Sequence, residues 1–334
     1  MTNTFYFAWE AAWIEFLQRA LPGWAMSFLG LITDLGAEVS MVCVVGLLYW
    51  CLDKKTGIRL CLMLGSVGTF FPMVKNLVRR SRPYMDLPEI RCVKAPEEGD
   101  LYDVTLQGYS FPSGHACTGI TVYGGLFLRY KKRLLRILTA ALLTLVCLSR
   151  NALGVHYPTD LLAGLLLGSV NMVLIQVLTT RVPRRIAYPC LALVGAVGFF
   201  FCDSTDYYSG YGLLLGAMLA EPLEEALVRF DPPRSFWAGA ARMVGGIGLF
   251  LALTWAGKLP FSAEFLSSGT FASHAVRTAR YALALFADLA LFPILFRRAE
   301  RPEAPGAGAG ASVPCPAGTG GDPKAGNQPS RPGV

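Results

Sequence analysis

Histidine and charge are both scarce in this chain. Its 334 residues include three histidines, and Asp, Glu, Lys and Arg together make up only 16%. Soluble domains usually contain about 25% charged residues, so the composition argues against an ordinary soluble domain. The sequence also lacks clustered carboxylates or cysteines with the spacing of metal ligands. We therefore expect neither a metal ion nor another cofactor.

The net charge of +7 does not indicate a nucleic-acid partner. Basic residues cluster between apolar runs, where membrane topology explains them, and no segment resembles a nucleic-acid-binding motif. The sequence does not identify a protein partner. Most of the nine cysteines lie within apolar runs, which favours small core residues over a disulfide framework. The N-terminus lacks the basic region of a cleavable signal peptide and carries Glu10 and Glu15 early.

Long apolar runs recur along most of the chain, and 53% of the residues are hydrophobic. Because backbone polar groups must be satisfied internally in a bilayer, these runs predict helices. The expected fold class is an all-α, polytopic transmembrane helical bundle. The candidate spans are residues 35–52, 57–78, 114–130, 134–149, 160–179, 186–203, 208–226, 236–257 and 278–297.

The two ends of the chain differ from this pattern. Residues 1–34 mix aromatic side chains with charge, which indicates amphipathic helices at the membrane interface; the alternative is a first, poorly hydrophobic span. Residues 301–334 are dominated by glycine, alanine, proline and polar residues, so we predict a disordered tail. Between them we expect a six-span core in residues 35–203 and about three further spans in residues 204–300.

The charges of the loops predict the orientation. Lys and Arg concentrate in alternate loops, and by the positive-inside rule those loops are cytoplasmic, together with the C-terminal tail. Residues 80–113, 150–159 and 203–209 then face the extracytoplasmic side. The basic loop residues are Lys54, Lys55, Arg59, Lys131, Lys132, Arg133, Arg136, Arg181, Arg184, Arg185, Arg297, Arg298 and Arg301.

The first polar motif combines Lys75, Arg82 and Pro83. Seven residues separate the two cations, which is nearly two helical turns, so both are expected on one helix face before Pro83 ends the helix. Such a pair would clamp a phosphate. The alternative is that Lys75 snorkels to the interface and Arg82 is an ordinary basic loop residue.

The second motif is Pro112-Ser113-Gly114-His115, at the start of an apolar span. Helix N-termini favour anions, Ser113 has a hydroxyl to donate, and Gly114 lets a ligand approach the backbone closely. The alternative is an ordinary serine N-cap beside an incidental histidine.

The third motif contains Arg150, His156 and Asp160. Asp160 follows His156 by four residues, where it can accept a hydrogen bond from the imidazole Nδ1 and leave Nε2 basic. Arg150 offers a planar guanidinium to phosphate oxygens, and Pro158 suits the first turn of the next helix. The alternative is an interfacial Asp N-cap near a structural histidine.

Three such motifs, in order at span ends and on one predicted side of the membrane, indicate one phosphate-handling site. The chain here closely resembles the type 2 phosphatidic acid phosphatase family. The family's pattern is Lys, six residues, Arg-Pro; then Pro-Ser-Gly-His; then Ser-Arg, five residues, His, three residues, Asp. The resemblance covers about residues 35–203, and the matching positions are Lys75, Arg82, Pro83, Pro112, Ser113, Gly114, His115, Ser149, Arg150, His156 and Asp160.

The resemblance implies an integral-membrane phosphatase that acts on a lipid phosphate or diphosphate through a phosphohistidine, without a metal. His156 is then the nucleophile, Asp160 orients it, and His115 protonates the leaving group. The residues implied to bind the phosphoryl oxygens are Lys75, Arg82, Ser113, Gly114 and Arg150.

The resemblance leaves the identity of the lipid open. The spans after about residue 205 are loosely similar to those of the sphingosine-phosphate phosphatase branch and of bacterial relatives, which implies a bacterial inner or cell membrane. Vanadium-dependent haloperoxidases share the phosphate-site pattern, but they are soluble. A non-catalytic lipid-phosphate binder, flippase or scramblase is a further alternative, although it would not need both His115 and His156.

Overall fold

The structure, a computed structural model, describes residues 3–94 and 100–299 as one compact unit. Within these ranges the secondary structure is helical, apart from one isolated β-bridge between Asn3 and Arg80. The predicted all-α class is therefore confirmed. The predicted disordered tail, residues 301–334, lies outside the described residues.

The chain up to the third motif forms nine α-helices within the described ranges. A π-helical turn at Leu48–Leu52 extends the third helix, and another at Ile120–Gly124 joins the seventh to the eighth. The helices are α1 (Ala8–Ala20), α2 (Gly23–Asp34), α3 (Glu38–Leu47), α4 (Lys54–Val78), α5 (Pro83–Asp86), α6 (Val104–Gln107), α7 (Gly114–Gly119), α8 (Gly125–Arg129) and α9 (Arg133–Ala152).

The remainder of the described chain continues in the same way. A 3₁₀ turn at Val197–Phe200 and π-helical turns at Glu224–Val228 and Ala287–Leu291 extend three of its helices. The helices are α10 (Pro158–Arg181), α11 (Arg184–Ala196), α12 (Thr205–Leu223), α13 (Phe236–Ala256), α14 (Ala263–Ser267), α15 (Phe271–Phe286) and α16 (Ile294–Ala299).

Helices occupy all nine positions where the sequence predicts spans. In the described part of the chain, five helical stretches are long and apolar enough to cross a membrane: α4, α9, α10, α13 and residues 271–296. A sixth qualifies if α2 and α3 with its π turn, which meet at an angle of 51°, form one broken span. The chain is thus a multi-pass helical membrane protein. The count of nine spans and the interfacial placement of residues 1–34 remain predictions.

Close contacts between glycines join the C-terminal helices to the rest of the bundle. A Cβ atom added at Gly210 of α12 would lie 2.1 Å from the Gly68 carbonyl oxygen of α4. On the other side of α12, a Cβ atom at Gly212 would lie 2.4 Å from the Thr278 carbonyl oxygen of α15. Small residues let membrane helices approach this closely. Helix α12 therefore packs directly between α4 and α15.

The bundle has a basic end and a motif end. At the basic end, Lys54 contacts Glu224 at 2.9 Å and Arg129 contacts Asp53 at 2.8 Å. The three sequence motifs lie at the opposite ends of α4, of the continuous helix from α7 to α8, of α9 and of α10. This separation agrees with the alternation of basic loops that the sequence shows.

Candidate active site

The three motifs converge on the pair of imidazoles at His115 and His156. Lys75 lies in the last turn of α4, Arg150 in the last turn of α9, and His156 in the loop before α10. The charges of Lys75, Arg82 and Arg150 act on both imidazoles, and the two imidazoles also interact with each other. The structure therefore brings the predicted site residues together.

Packing between α7 and α10 holds the second and third motifs in contact. A Cβ atom at Gly164 would lie 2.6 Å from the Ser113 carbonyl oxygen, so the glycine is needed for this approach. The Ser113 backbone N–H donates to the Asp160 carbonyl oxygen at 3.0 Å. The start of α7, which carries His115, is thereby fixed against the start of α10.

The geometric reason for pairing Lys75 with Arg82 was wrong, although both residues reach the site. The sequence predicts one helix that carries both cations and ends at Pro83. Instead, α4 ends at Val78, and Arg79 adopts a left-handed conformation with φ of 54°. Arg82 is extended and precedes α5, in which Pro83 is the first residue. The reversal of the backbone at Arg79, not helical periodicity, brings Arg82 to the site.

Two buried donors of the site have no hydrogen-bond partner among the described residues: the Ser113 hydroxyl and the Arg150 Nε. Ser113 precedes α7 but its side chain makes no capping hydrogen bond, which is unlike an ordinary serine N-cap. Arg150 Nη1 donates to Thr33 Oγ1 at 3.0 Å, so its guanidinium is held in place. Buried polar groups are normally paired, so two such donors indicate a place for an anion.

Backbone carbonyls orient Arg82. Its Nε donates to the Gly108 carbonyl at 3.0 Å, Nη2 to the Gln107 carbonyl at 2.5 Å, and Nη1 to the Val155 carbonyl at 3.3 Å. A guanidinium has five N–H donors, so two remain for phosphate oxygens. Arg82 thus joins the loop before α7 to the loop that carries His156.

His156 contacts Asp160 through a third residue, Ser110. Asp160 Oδ2 lies 3.6 Å from His156 Nδ1, which is longer than a hydrogen bond. The Ser110 hydroxyl donates to Asp160 Oδ2 at 2.5 Å and lies 3.4 Å from His156 Nδ1. The expected His–Asp pair is therefore present as neighbours, with the hydroxyl of Ser110 able to bridge them.

The environment of His156 favours its neutral form. Its side chain is buried, and burial lowers the pKa of His156 well below the ordinary value, with Arg82, Arg150 and Lys75 lowering it further. A neutral imidazole has the free lone pair that a nucleophile needs. Burial also lowers the pKa of Arg82, although a guanidinium remains charged in proteins.

Sequence reasoning missed Ser110, Arg80 and Glu10. Arg80 donates to Asp160 and to Glu10, and all three side chains are buried. The signals were weak: Arg80 lies in a basic run next to the recognised Arg82, and Glu10 is an acidic residue among the aromatic side chains of α1. Glu10 and Asp160 lie 70 and 80 residues from Arg80 in the chain, and a local sequence pattern does not show contacts over such separations.

A multi-pass helical bundle with this cationic, two-imidazole site has the features expected of a membrane phosphatase of lipid phosphates. Residues 56–184 match the PAP2 superfamily, and residues 208–303 match the PAP2 superfamily phosphatase transmembrane extension. The chain belongs to this superfamily of type 2 phosphatidic acid phosphatases.

Comparison with single proteins agrees with this assignment. The chain is 26% identical over 166 residues to phosphatidylglycerophosphatase B of Bacillus subtilis (strain 168), covering 46% of this chain and 74% of that protein. No solved structure matches the chain.

Proposed function

We propose that this lipid phosphatase removes the terminal phosphate of its substrate through a phosphohistidine on His156. The observation that carries the proposal is the pair of buried, unpartnered donors, Ser113 Oγ and Arg150 Nε, beside a buried imidazole. Bound phosphoryl oxygens would satisfy both donors. A phosphate held there is within reach of the same three cations that act on His156.

In the first step His156 Nε2 attacks phosphorus, because Nδ1 faces Ser110 and Asp160. The P–N bond forms as the P–O bond to the lipid breaks. His115, which is kept protonated by the negative charge of the bound phosphate, gives this proton to the leaving alkoxide. In the second step His115 removes a proton from water, whose oxygen attacks phosphorus. The P–N bond breaks, inorganic phosphate leaves, and both imidazoles return to their starting states.

Lys75, Arg82 and Arg150 stabilise the charge on the transferring group throughout. Fixed cations and backbone donors around developing charge are usually the largest catalytic contribution. In this proposal the three cations supply the positive charge that a divalent metal supplies in other phosphatases, so no step requires a metal. A non-catalytic binder, flippase or scramblase would need the cations but not a second imidazole at His115.

For the substrate we propose a glycerophospholipid phosphate, of which phosphatidylglycerophosphate is the first to test. The support is the similarity to phosphatidylglycerophosphatase B. Purified protein in detergent should release phosphate from phosphatidylglycerophosphate, phosphatidate, undecaprenyl diphosphate and sphingoid-base phosphate at different rates. A 32P-labelled substrate, quenched in alkali, should leave label on the wild type and none on His156→Ala. Absence of turnover on all four lipids would contradict the proposed activity.

We also propose that the site faces the extracytoplasmic side of a bacterial cell membrane. The basic end of the bundle carries Lys54, Arg129 and Arg184, and the positive-inside rule assigns such an end to the cytoplasm. Inorganic phosphate would then be released outside the cytoplasm.

A further inference from the structure

A buried chain of charges runs from the N-terminal helix α1 to the nucleophile. Arg80 is 1% exposed, and its Nη1 donates to Asp160 Oδ1 at 2.6 Å and to Thr159 Oγ1 at 2.8 Å. Its Nη2 donates to Glu10 Oε2 at 2.9 Å. Asp160 and Glu10 are both fully buried. One guanidinium therefore joins a carboxylate of the active site to a carboxylate of α1.

The position of the Arg80 guanidinium is strongly constrained. It lies over the ring of Tyr157 at 4.0 Å from the centroid and near that of Phe5 at 4.7 Å. Its Nε donates to the Phe5 carbonyl at 2.9 Å. A planar cation between two rings with this many donors engaged has one available orientation. Residues 3–5 and Tyr157 therefore fix the direction in which Arg80 meets Asp160.

Arg80 controls both groups that contact the His156 Nδ1. Its side chain donates to Asp160 Oδ1. Asp160 Oδ2 accepts from the Ser110 hydroxyl and from the Tyr157 N–H, the latter at 2.8 Å. Its backbone carbonyl accepts the Ser110 N–H at 2.8 Å. The imidazole orientation thus depends on Arg80 through its side chain and through its main chain.

Glu10 places α1 on the first turn of α10. Its Oε1 accepts the Thr159 N–H at 3.0 Å and the Thr159 hydroxyl at 2.6 Å, while Oε2 accepts the Phe7 N–H at 2.9 Å. A second contact runs in parallel: Trp13 Nε1 donates to Asn151 at 3.3 Å, and Asn151 donates to the His156 carbonyl at 2.9 Å. Helix α1 therefore contacts the nucleophile loop from two directions.

We propose that Arg80 and Glu10 are positioning residues for the nucleophile, and that α1 is a required part of the active site. Glu10 orients Arg80, and Arg80 fixes Asp160 and Ser110 against His156. The proposal rests on the phosphohistidine mechanism proposed above. The proposal assigns no contact between α1 and the substrate. Substitution of Glu10 or Arg80 should therefore change turnover and not substrate binding.

Opposite charges make the proposal testable through pH. The charged and titratable groups facing His156 are Asp160, Lys75, Arg82, Arg150 and His115. Glu10→Gln removes a negative charge two side chains away, so protonation of the His156–Asp160 pair becomes harder and the acid limb of kcat/KM should move to lower pH. Arg80→Gln removes a positive charge, so that limb should move to higher pH. The titration of the substrate is common to all variants and cancels in this comparison.

The experiment compares purified full-length variants in detergent on one lipid phosphate. Each single variant should lower kcat by about 10- to 100-fold, because a side chain that orients the groups around the nucleophile is lost. KM should change less than about threefold. Glu15→Gln is the matched control, because it removes the same charge from α1, and among the described residues its side chain pairs only with Arg19 on the helix surface. It should leave kcat and the acid limb unchanged.

The double variant Glu10→Gln/Arg80→Gln is a control for misfolding. Each single variant leaves one of these two charges buried without the other, whereas the double variant removes both. It should fold, have low kcat, and return the acid limb toward the wild-type position. The proposal is overturned if Glu10→Gln behaves like Glu15→Gln, or if the double variant has wild-type kcat. It is also overturned if the loss of activity matches the loss of folded protein while the pH profile stays unchanged. Inactive wild type on every lipid would instead contradict the proposed function itself.

Discussion

Ser110 stands between Asp160 and His156, with its hydroxyl 2.5 Å from the carboxylate Oδ2 and 3.4 Å from the imidazole Nδ1. A hydroxyl can donate to the carboxylate and accept from Nδ1–H at the same time. The Ser110 hydroxyl can therefore link the Asp160 carboxylate to the imidazole of His156.

Ser110→Ala should lower kcat by about tenfold, which is less than Asp160→Asn lowers it, because Asp160 retains Arg80 and can still approach Nδ1. The measurement is steady-state turnover of one lipid phosphate with equal amounts of monodisperse protein. Ser169→Ala is a suitable control, since within the described part of the chain the Ser169 hydroxyl donates only to the Leu165 carbonyl of its own helix. Equal losses in Ser110→Ala and Asp160→Asn would contradict this prediction and show that the carboxylate acts only through the Ser110 hydroxyl.

In the proposed mechanism Lys75, Arg82 and Arg150, whose charges act on His156, supply the positive charge around the phosphoryl group, so activity should not depend on a divalent metal. Turnover in excess EDTA should equal turnover in added magnesium. Vanadate should inhibit at concentrations well below that of the substrate, since its adduct on His156 resembles the transition state. Loss of activity in EDTA that magnesium restores would contradict this prediction.

The proposed nucleophile, His156, should stay active in mildly acidic solution. The pKa of His156 is lowered well below 6.5 by burial and neighbouring cations, so the imidazole remains neutral as pH falls through 6.5. Nucleophilicity is lost only when pH falls through the lowered pKa. The acid limb of kcat/KM, which reports the free enzyme, should therefore lie below about pH 6.5 once the titration of the substrate is divided out. A limb at or above this value would mean that His156 is charged more easily than its burial implies.

The motif residues could be predicted from the sequence because each lies within a short, ordered pattern at the end of an apolar run. The link between Lys75 and Arg82 was misjudged, because helical periodicity does not reveal the left-handed backbone at Arg79. Glu10 and Arg80 could not be predicted as partners. Their contact depends on how α1 packs across the start of α10, which is a property of the folded bundle and not of any local pattern.

The motif end should be accessible from outside the cell. Tyr102, 63% exposed, lies at that end, and Lys132 is exposed at the basic end. In a background without native cysteines, Tyr102→Cys should react with an impermeant thiol reagent in intact cells, and Lys132→Cys only after lysis. Tyr157, although next to the nucleophile, is buried and would not serve as a reporter. The reverse labelling pattern would invert the proposed orientation.

The two imidazoles should differ in their dependence on the leaving group. In the proposed mechanism His156→Ala removes the atom that attacks phosphorus, so turnover and phosphoenzyme should be lost for every substrate while the protein still folds. His115→Ala removes the proton donor, so the loss should be greatest for an alkyl phosphate, whose leaving alkoxide is poorly stabilised. An aryl phosphate needs little protonation, and on it His115→Ala should retain more activity than His156→Ala.

Assays of both variants on an alkyl and an aryl phosphate test this assignment directly. The structure supports different roles, because His156 Nδ1 faces Ser110 and Asp160, whereas His115 lies in the first turn of α7 against the bend between α2 and α3. If His115→Ala is inactive on both substrates while His156→Ala keeps aryl turnover, the two roles are reversed.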